Sequence, residues 1–310
     1  MISLSKTIAQ YKQGSIDKQT FIQTMYDEHH SILFDYAKYL TQTNIKRIEI
    51  ENWQVIMTSR DHGVRIACME RDFRIAPIET LNFLDYEKHE SDMMENLISD
   101  GQNFFDIGAN IWWYSINIAA LRRLATVYCF EPIPKTYANL KQNIALNSVS
   151  NIIIYDFWFS DQAGEFTFYY YPEWSGNASS ANVTGRTDVE TVQCKLRTLD
   201  DYTAETKIRV DFIKCDVEGA ELLVFKGAID TIARDKPVIF SEILRKWSAK
   251  FNYNPNEIFD LLYAQWYQAF TVKNTYLSKF DKMDEDTIET NFFFLHSQKH
   301  QDIIMRFVKV

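Results

Sequence analysis

The chain has 310 residues, of which 46% are hydrophobic and 24% charged, a length and composition that suit one large globular domain with a smaller attachment. Its net charge of -9 argues against a nucleic-acid partner, because binding to a phosphate backbone needs a basic surface. No apolar run approaches a membrane span and the first residues lack the apolar core of a signal peptide, so we expect a cytoplasmic protein. The four cysteines form no CxxC pair and are interpreted as buried free thiols.

The first part of the chain predicts a separate extension. Residues 1–45 carry apolar side chains near a 3.6-residue period and predict helices. Residues 54–70 predict a β-hairpin, and residues 86–101 predict a further helix. We therefore assign residues 1–80 to an N-terminal helical and hairpin extension, and residues 81–310 to the main domain.

From residue 103 onward, short apolar strands alternate with helices, which indicates a parallel sheet covered on both faces. Two inserted strands flank a polar loop at residues 173–188 that is long enough to be functional. The last two strands follow without a long helix between them and predict an antiparallel edge. In chain order the predicted strands are NFFDIG, TVYCFE, NIIIYDFWF, EFTFYYY, ETVQCKLRTL, VDFIKCD, PVIFSEI, YQAFTV and NFFFLHS.

Polar residues follow these strands at the edge where open parallel sheets bind ligands. Glu131 lies about 25 residues after Asp106, an offset that suits an acid accepting hydrogen bonds from ribose hydroxyls. The GxGxxG fingerprint is missing and an acid ends the first strand, which disfavours a pyrophosphate and hence a nucleotide-dependent oxidoreductase. An acid there suits a ligand with a positive group, and S-adenosylmethionine carries an ammonium and a sulfonium.

The segments FFDIGAN, VYCFEP, RTLDDY, VDFIKCDVEGAELLVFKGA and VIFSEI resemble, in this order, the FkbM-type S-adenosylmethionine-dependent methyltransferases. The resemblance covers about residues 80–300. It implies the α/β, Rossmann-like class I methyltransferase fold, with a seven-stranded, mostly parallel sheet and an antiparallel C-terminal edge strand. It also implies methyl transfer to oxygen, often to a hydroxyl of a sugar or a small metabolite.

Site residues are carried over from this resemblance position by position. Beside the cofactor's methionine end it places Asp106, Gly108, Ala109 and Asn110. Glu131, with Pro132 after it, would hold the ribose, and residues near Phe159 and Ser160 would flank the adenine. Facing the methyl group and the acceptor it places Asp216, Glu218 and Glu242, of which Asp216 also borders the cofactor.

The implied reaction is an in-line displacement in which one of the last three carboxylates takes the proton of the acceptor hydroxyl. The alternative is that these acids cap the following helices or hold the acceptor loop. A divalent ion shared by Asp216 and Glu242 is a further alternative, but we predict no metal. The expected partner is a small-molecule or glycan acceptor, with a possible homo-oligomer.

Glycine occurs only 9 times in 310 residues, and tryptophan stands at positions where glycine is expected. Trp112 replaces a glycine that family members usually carry in the cofactor loop, and Trp266 follows a helix that should end in glycine. Position 158 also suits glycine, whereas Trp53, Trp113 and Trp247 suit tryptophan. One hypothesis is a codon that the source organism reads as glycine. The others are a divergent sequence, or a catalytically silent domain that acts as a binding or scaffold protein.

Overall fold

The computed structural model describes residues 3–70, 72–110, 113–170 and 190–309. The predictions about Trp112 and about the loop at residues 173–188 lie outside these residues. None of the helices among the described residues is long and apolar enough to cross a membrane.

The first described residues form the predicted helices, which are confirmed. They are α1 (Leu4–Lys12), α2 (Lys18–Met25), a π-helical turn (Tyr26–His30), α3 (Ile32–Tyr39) and a 3-10 turn (Leu40–Gln42). A three-stranded antiparallel sheet follows, formed by β1 (Ile45–Glu51), β2 (Gln54–Ser59) and β3 (Arg65–Cys68). The hairpin β2–β3 was predicted from the sequence, but β1 was not.

The turn between β1 and β2 has two central residues with positive φ. Asn52 has φ 48° and Trp53 has φ 66°, and the flanking Glu51 and Gln54 pair directly. This is the pattern of a type I′ turn, which prefers Asn-Gly. The interpretation that position 53 suits tryptophan was therefore wrong, because its backbone adopts a left-handed conformation that is disfavoured for a residue with a bulky side chain.

The remaining elements follow in chain order. They are α4 (Ala76–Phe83), α5 (Lys88–Leu97), β4 (Asn103–Ile107), α6 (Trp113–Leu121), β5 (Thr126–Phe130), α7 (Pro134–Asn147), β6 (Ile152–Tyr155), β7 (Phe157–Phe159), β8 (Gly164–Tyr170), β9 (Glu190–Arg197), α8 (Leu199–Thr206), β10 (Phe212–Cys215), α9 (Glu221–Lys226), α10 (Ile229–Asp235), β11 (Val238–Glu242), α11 (Arg245–Ser248), a 3-10 turn (Ala249–Phe251), α12 (Asn256–Ala264), β12 (Tyr267–Lys273), β13 (Tyr276–Phe280), β14 (Asn291–His296) and α13 (Gln301–Phe307). Helix α5 ends at Leu97, four residues before the predicted end, because Ile98 is already extended.

The main sheet has the strand order β13-β12-β14-β11-β10-β4-β5-β6. The five strands from β11 to β6 are parallel, and β14 runs antiparallel to β11, which confirms the predicted α/β sheet with an antiparallel edge. The sheet has eight strands instead of seven, because the chain turns back after Lys273 and adds β13 in register with β12. Asn274, with φ 57°, makes this tight turn possible.

A second sheet of order β7-β9-β8 is inserted after β6. The predicted strand over residues 151–159 is split at Asp156, so that its first half joins the main sheet and its second half pairs with β9. The two inserted strands β8 and β9 pair antiparallel, as predicted.

Both faces of the main sheet are buried. Phe104, Phe212 and Phe240 lie in one apolar cluster, which includes side chains of α5, α6 and α7. The neighbouring strand residues Phe105 and Ile213 lie in a second cluster with side chains of α8, α9, α10 and α12. Alternate residues therefore face opposite helical layers, and the strand ends are left to carry polar residues.

Candidate active site

The candidate site lies along the edge where the parallel strands end, which we call the carboxyl edge. It consists of the residues that directly follow β4, β5, β10 and β11. In a parallel sheet these ends meet on one side, so residues far apart in sequence are brought together. Four described residues of these loops have a positive φ, which are Gly108, Asn110, Glu218 and Gly219. At the two glycines, a Cβ would also lie unusually close to neighbouring backbone.

The loop after β4 is pinned to its neighbours by its backbone. The amides of Gly108 and Ala109 both donate to the carbonyl of Phe130 at 3.2 Å. Gly108 has φ 77°, and a Cβ there would lie 1.8 Å from the carbonyl oxygen of Asp216. Only glycine allows the β4 loop to touch the β10 loop in this way.

Asn110, the last described residue before the gap in this loop, has φ 45°, and its amide donates to Oε2 of Glu131 at 3.0 Å. Its side-chain oxygen Oδ1 is buried without a hydrogen-bond partner among the described residues. A buried polar atom that lacks a partner costs free energy, so it favours a ligand that donates to it.

Beneath the loop, Lys214 joins two of the predicted acids. Its Nζ lies 3.2 Å from Oδ1 of Asp106 and 3.4 Å from Oδ2 of Asp216, and it donates to the carbonyl of Gly108 at 3.0 Å. Burial alone would lower the pKa of Lys214, but the two carboxylates overcome burial and raise it. Ser115 donates to the other oxygen of Asp106 at 2.6 Å. The Asp106 carboxylate, only 1% exposed, is thus committed to partners inside the protein.

Glu131 is held in a fixed orientation at the end of β5. Its two carboxylate oxygens accept the amides of Asn110 at 3.0 Å and Ile133 at 2.9 Å. Burial raises the pKa of Glu131 to about 7, although these hydrogen bonds favour the charged form. The adjacent Pro132 is buried, and its carbonyl accepts from the thiol of Cys194 at 3.4 Å.

The residues predicted near the adenine are more enclosed than their neighbours. The ring of Phe159 is fully buried, 4.5 Å from the ring of Phe130 between centroids. Ser160 is 8% exposed, and its amide donates to the carbonyl of Arg197 at 2.9 Å. Because the ring of Phe159 packs in the core, Phe159 and Ser160 would contact a ligand mainly through their backbone groups.

Asp216, Glu218 and Glu242 lie together, with one carboxylate oxygen of each within 4.8 Å of the others. We call them the acid triad. Burial first, and Asp216 second, raise the pKa of both Glu218 and Glu242 well above the ordinary value. Glu242 also shares a hydrogen bond with Asp216. Such a group can accept or share a proton, and its hard oxygen atoms can also hold a small divalent ion.

Glu221, in the first turn of α9, has a structural role. Its Oε1 accepts the amides of Val217 at 3.1 Å and Gly219 at 3.0 Å, and thereby fixes the loop that carries two members of the acid triad, Asp216 and Glu218. Burial raises the pKa of Glu221 to about 7. Glu221 was not among the three acids for which the sequence suggested this alternative, and for Asp216, Glu218 and Glu242 both interpretations stay predictions.

Sequence reasoning missed two residues at this edge. Lys214 could have been found, since a lysine inside an otherwise apolar strand requires a buried partner. Glu87 lies before α5, in the segment FLDYEKHE, and accepts hydrogen bonds from the hydroxyl of Tyr114 and, at 3.4 Å, from the amide group of Asn291. Its position depends on a contact 204 residues apart in sequence, which no local pattern signals.

Residues 106–270 match the model of the methyltransferase FkbM domain, which is just over half of the chain. Among curated proteins, the chain is 26% identical over 212 residues to the AMB antimetabolite synthetase AmbE of Pseudomonas aeruginosa, covering 57% of this chain and 10% of that protein. It is 26% identical to Methyltransferase 1 of Beauveria bassiana, covering 42% and 60%. It is 30% identical to the methyltransferase sdnD of Sordaria araneosa, covering 39% and 58%.

The alignments with these relatives thus span a tenth of the synthetase and about three fifths of each methyltransferase. Among solved structures, the chain is similar to an FkbM methyltransferase from Methylobacillus flagellatus, with 18% identity and a TM-score of 0.42. That likeness covers 64% of this chain and 44% of the other.

Proposed function

Because this chain belongs to the FkbM methyltransferase family, we propose that it transfers a methyl group from S-adenosylmethionine to a hydroxyl oxygen of a small metabolite or glycan. The observation that carries the proposal is the acid triad, which lies directly beside the glycine loop of β4. A cationic methyl donor requires negative charge nearby, and a hydroxyl acceptor requires a group that takes its proton. The carboxyl edge offers both.

The described residues fit this cofactor. Glu131 is fixed by two backbone amides and is placed to accept hydrogen bonds from ribose hydroxyls. The buried Oδ1 of Asn110 favours a donating ligand, and Gly108 leaves no side chain between the two loops. The bound cofactor would supply a methyl group on a sulfonium, a leaving group that departs without charge.

In the proposed reaction the acceptor oxygen forms a bond to the methyl carbon while the carbon–sulfur bond breaks. A carboxylate of the acid triad takes the hydroxyl proton. In the free protein Glu218 and Glu242 have raised pKa values and favour the protonated form. A positive charge bound beside them favours their ionised form, so cofactor binding would prepare the base.

Two other interpretations compete. A catalytically silent domain was suggested by Trp112, which lies outside the described residues, and it gives no reason for an acid triad beside the loop. A divalent ion on the triad would make the reaction sensitive to chelators. The oligomeric state, the cytoplasmic location and the absence of a metal remain predictions.

The first test is calorimetric titration with S-adenosylhomocysteine, on the wild-type chain and on Trp112→Gly. Methyl-labelled S-adenosylmethionine is then offered with a panel of hydroxylated metabolites and sugars, with and without EDTA, and products are identified by mass spectrometry and NMR. We expect cofactor binding and a methyl ether. Binding by neither chain would remove the enzyme proposal, and a methylated nitrogen would remove the O-methylation.

Variants of the acid triad test the base. Glu242→Gln should lower kcat by about 10²-fold or more and leave the affinity for S-adenosylhomocysteine within about threefold, since general-base catalysis contributes about 10²–10⁴-fold. Glu205→Gln is the matched control, because Glu205 lies on α8 with a side chain 67% exposed. An unchanged kcat in Glu242→Gln, Glu218→Gln and Asp216→Asn would exclude the triad as the base.

A further inference from the structure

Glu87 joins the carboxyl edge from a segment that precedes residue 106, where the match to the family's domain model begins. It directly precedes α5 and adopts a left-handed conformation with φ 42° and ψ 45°. This conformation is disfavoured for a residue with a side chain, and surrounding contacts must hold it. The hydroxyl of Tyr114 and the side-chain amide of Asn291 both donate to its carboxylate.

These two partners locate Glu87 in the site. Tyr114 lies in the first turn of α6, which follows the β4 loop, and Asn291 pairs in register with Glu242 of the acid triad. The Glu87 carboxylate therefore lies on the side of the loop that faces the triad. Glu131 lies on the opposite side, at the end of β5.

Glu87 acts on Lys214 through charge, but the direct contacts of Lys214 go to other groups. Lys214 is committed to Asp106, Asp216 and the carbonyl of Gly108. Burial, and after it the charge of Asp216, raise the pKa of Glu87 against the lowering effect of the hydrogen bonds from Tyr114 and Asn291. Glu87 in turn helps to raise the pKa of Glu242. A bound cation would relieve this repulsion.

The geometry points to Glu87 as the residue that binds the α-ammonium group of the cofactor's methionine moiety. This inference rests on the proposed function. A nucleoside whose ribose lies at Glu131 would cross the edge between β5 and β10, the point where the strand order reverses, and its amino-acid end would reach Glu87 and Tyr114. An ammonium in a buried site needs a carboxylate partner, and Glu87 is held ready by two hydrogen bonds.

The test compares two ligands that differ only in the amino-acid part. S-adenosylhomocysteine carries the ammonium, whereas 5′-methylthioadenosine has the same thioether nucleoside without it. Calorimetry of Glu87→Gln should show a loss of about tenfold or more for S-adenosylhomocysteine and no loss for methylthioadenosine. Glu90→Gln, with the same change of charge in the first turn of α5, should bind both ligands like the wild type.

Equal losses for both ligands would overturn the inference and leave Glu87 a structural role. Unchanged binding of both would place the ammonium elsewhere, and so would a defect seen only in the KM of the acceptor. If neither the wild type nor Trp112→Gly binds either ligand, the proposed function itself fails, which separates its failure from that of Glu87.

A second, independent observation concerns the tryptophans. Trp53 and Trp266 both have left-handed backbones, with φ 66° and 67°, and their side chains are 103% and 67% exposed. A bulky residue in this region is an outlier, and an exposed indole gains nothing from packing that would offset the strain. By contrast, Trp113 and Trp158 are buried, lie in regular elements and have ordinary φ.

Each of the two positions is a typical glycine position. Trp53 is the second central residue of a type I′ turn whose first is Asn52. Trp266 follows the C-cap residue of α12, where its amide donates to the carbonyl of Tyr263 at 3.0 Å and its carbonyl accepts from Ser297 at 2.8 Å. This is the C′ position, which most often carries glycine.

We infer that positions 53 and 266, together with position 112 of the cofactor loop, are glycine in the organism that makes this protein, through a codon that it reads as glycine. The deficit supports this, since average use of about 7% would give roughly 22 glycines and the chain has 9. The structure also corrects the idea of glycine at position 158, because Trp158 is 5% exposed within β7.

The gene tests this directly. Positions 53, 112 and 266 should share a codon that differs from the codon of Trp113 and Trp158, and UGG at all of these positions would overturn the inference. Trp53→Gly and Trp266→Gly should each raise Tm by about 2 °C. Trp158→Gly, the matched control, should lower Tm by about 6 °C or more, and a loss of Tm in the first two variants would also contradict the inference.

Discussion

The two edges of the parallel sheet both carry buried acids, yet they treat them differently. At the amino edge, which precedes β10 and β11, Asp235 accepts the amide of Val210 and pairs with Arg234, and these partners lower its pKa although burial favours the protonated form. At the carboxyl edge, burial raises the pKa of Glu131, Glu218 and Glu242. An acid that stabilises the fold thus has a cation of the protein beside it. The acids of the candidate site carry more negative charge than the neighbouring cations compensate.

The largest effect should come from Lys214, the buried cation between Asp106 and Asp216 at the carboxyl edge. Lys214→Met leaves Asp106, which is 1% exposed, without its ionic partner. Breaking a buried pair from one side costs about 3–5 kcal/mol. Urea unfolding should show this loss in the free energy of unfolding, and a loss under about 1 kcal/mol would mean that the pair of Lys214 and Asp106 contributes little to the stability of the fold.

Two glycines, one before and one after β4, allow the two edges of the sheet to be compared directly. Gly108 and Gly101 have φ 77° and 81°, but only at Gly108 would a Cβ collide with neighbouring backbone. Gly108→Ala should cost about 3 kcal/mol, from left-handed strain and overpacking together, and Gly101→Ala about 1 kcal/mol from strain alone. Equal losses in urea unfolding would show that the two loops do not touch in solution.

The pH dependence of stability should have opposite signs at the two edges. The pKa of Glu131 in the folded protein is about 7, above its ordinary value of 4.5, so the folded state binds more protons between these values. Its stabilising contribution is full below about pH 4.5 and is lost as the pH rises to 7. The contribution of Asp235, whose pKa is lowered, is present above its ordinary value of 3.8 and is lost as the pH falls through the lowered value.

We therefore expect the free energy of unfolding to fall by about 1–3 kcal/mol between pH 5 and pH 7, and Glu131→Gln to flatten this decline. Chemical unfolding at a series of pH values measures both slopes. An increase in stability over this range would mean that a cation already compensates the carboxyl edge.

The smallest effect should come from an exposed partner at the amino edge. Arg209 pairs with Asp211, but its side chain is 65% exposed. Arg209→Gln should therefore change the free energy of unfolding by less than about 1 kcal/mol, and salt should reduce the difference further. A loss as large as that of Lys214→Met would remove the distinction between the two edges.

Much of this arrangement follows from local sequence. Apolar strands that end in acids predicted the parallel sheet and the neighbourhood of Asp216, Glu218 and Glu242, because strand ends meet at one edge. The contribution of Glu87 could not be predicted, since it depends on the approach of α5 to the start of β14. The split of residues 151–159 between two sheets is equally non-local. Asp156 interrupts the apolar run, but a single polar residue does not reveal that the pairing partner changes there.

Gly227 has a consequence for engineering. A Cβ on this residue would lie 2.0 Å from the carbonyl oxygen of Ser160, so the end of α9 rests directly on the end of β7. The inserted sheet thus meets the main domain through backbone atoms at this point, in addition to the core packing of Phe157 and Phe159. Strands β8 and β9 bracket residues 171–189 and pair with each other, so that segment is a place to exchange sequences between relatives while the contact at Gly227 is kept unchanged.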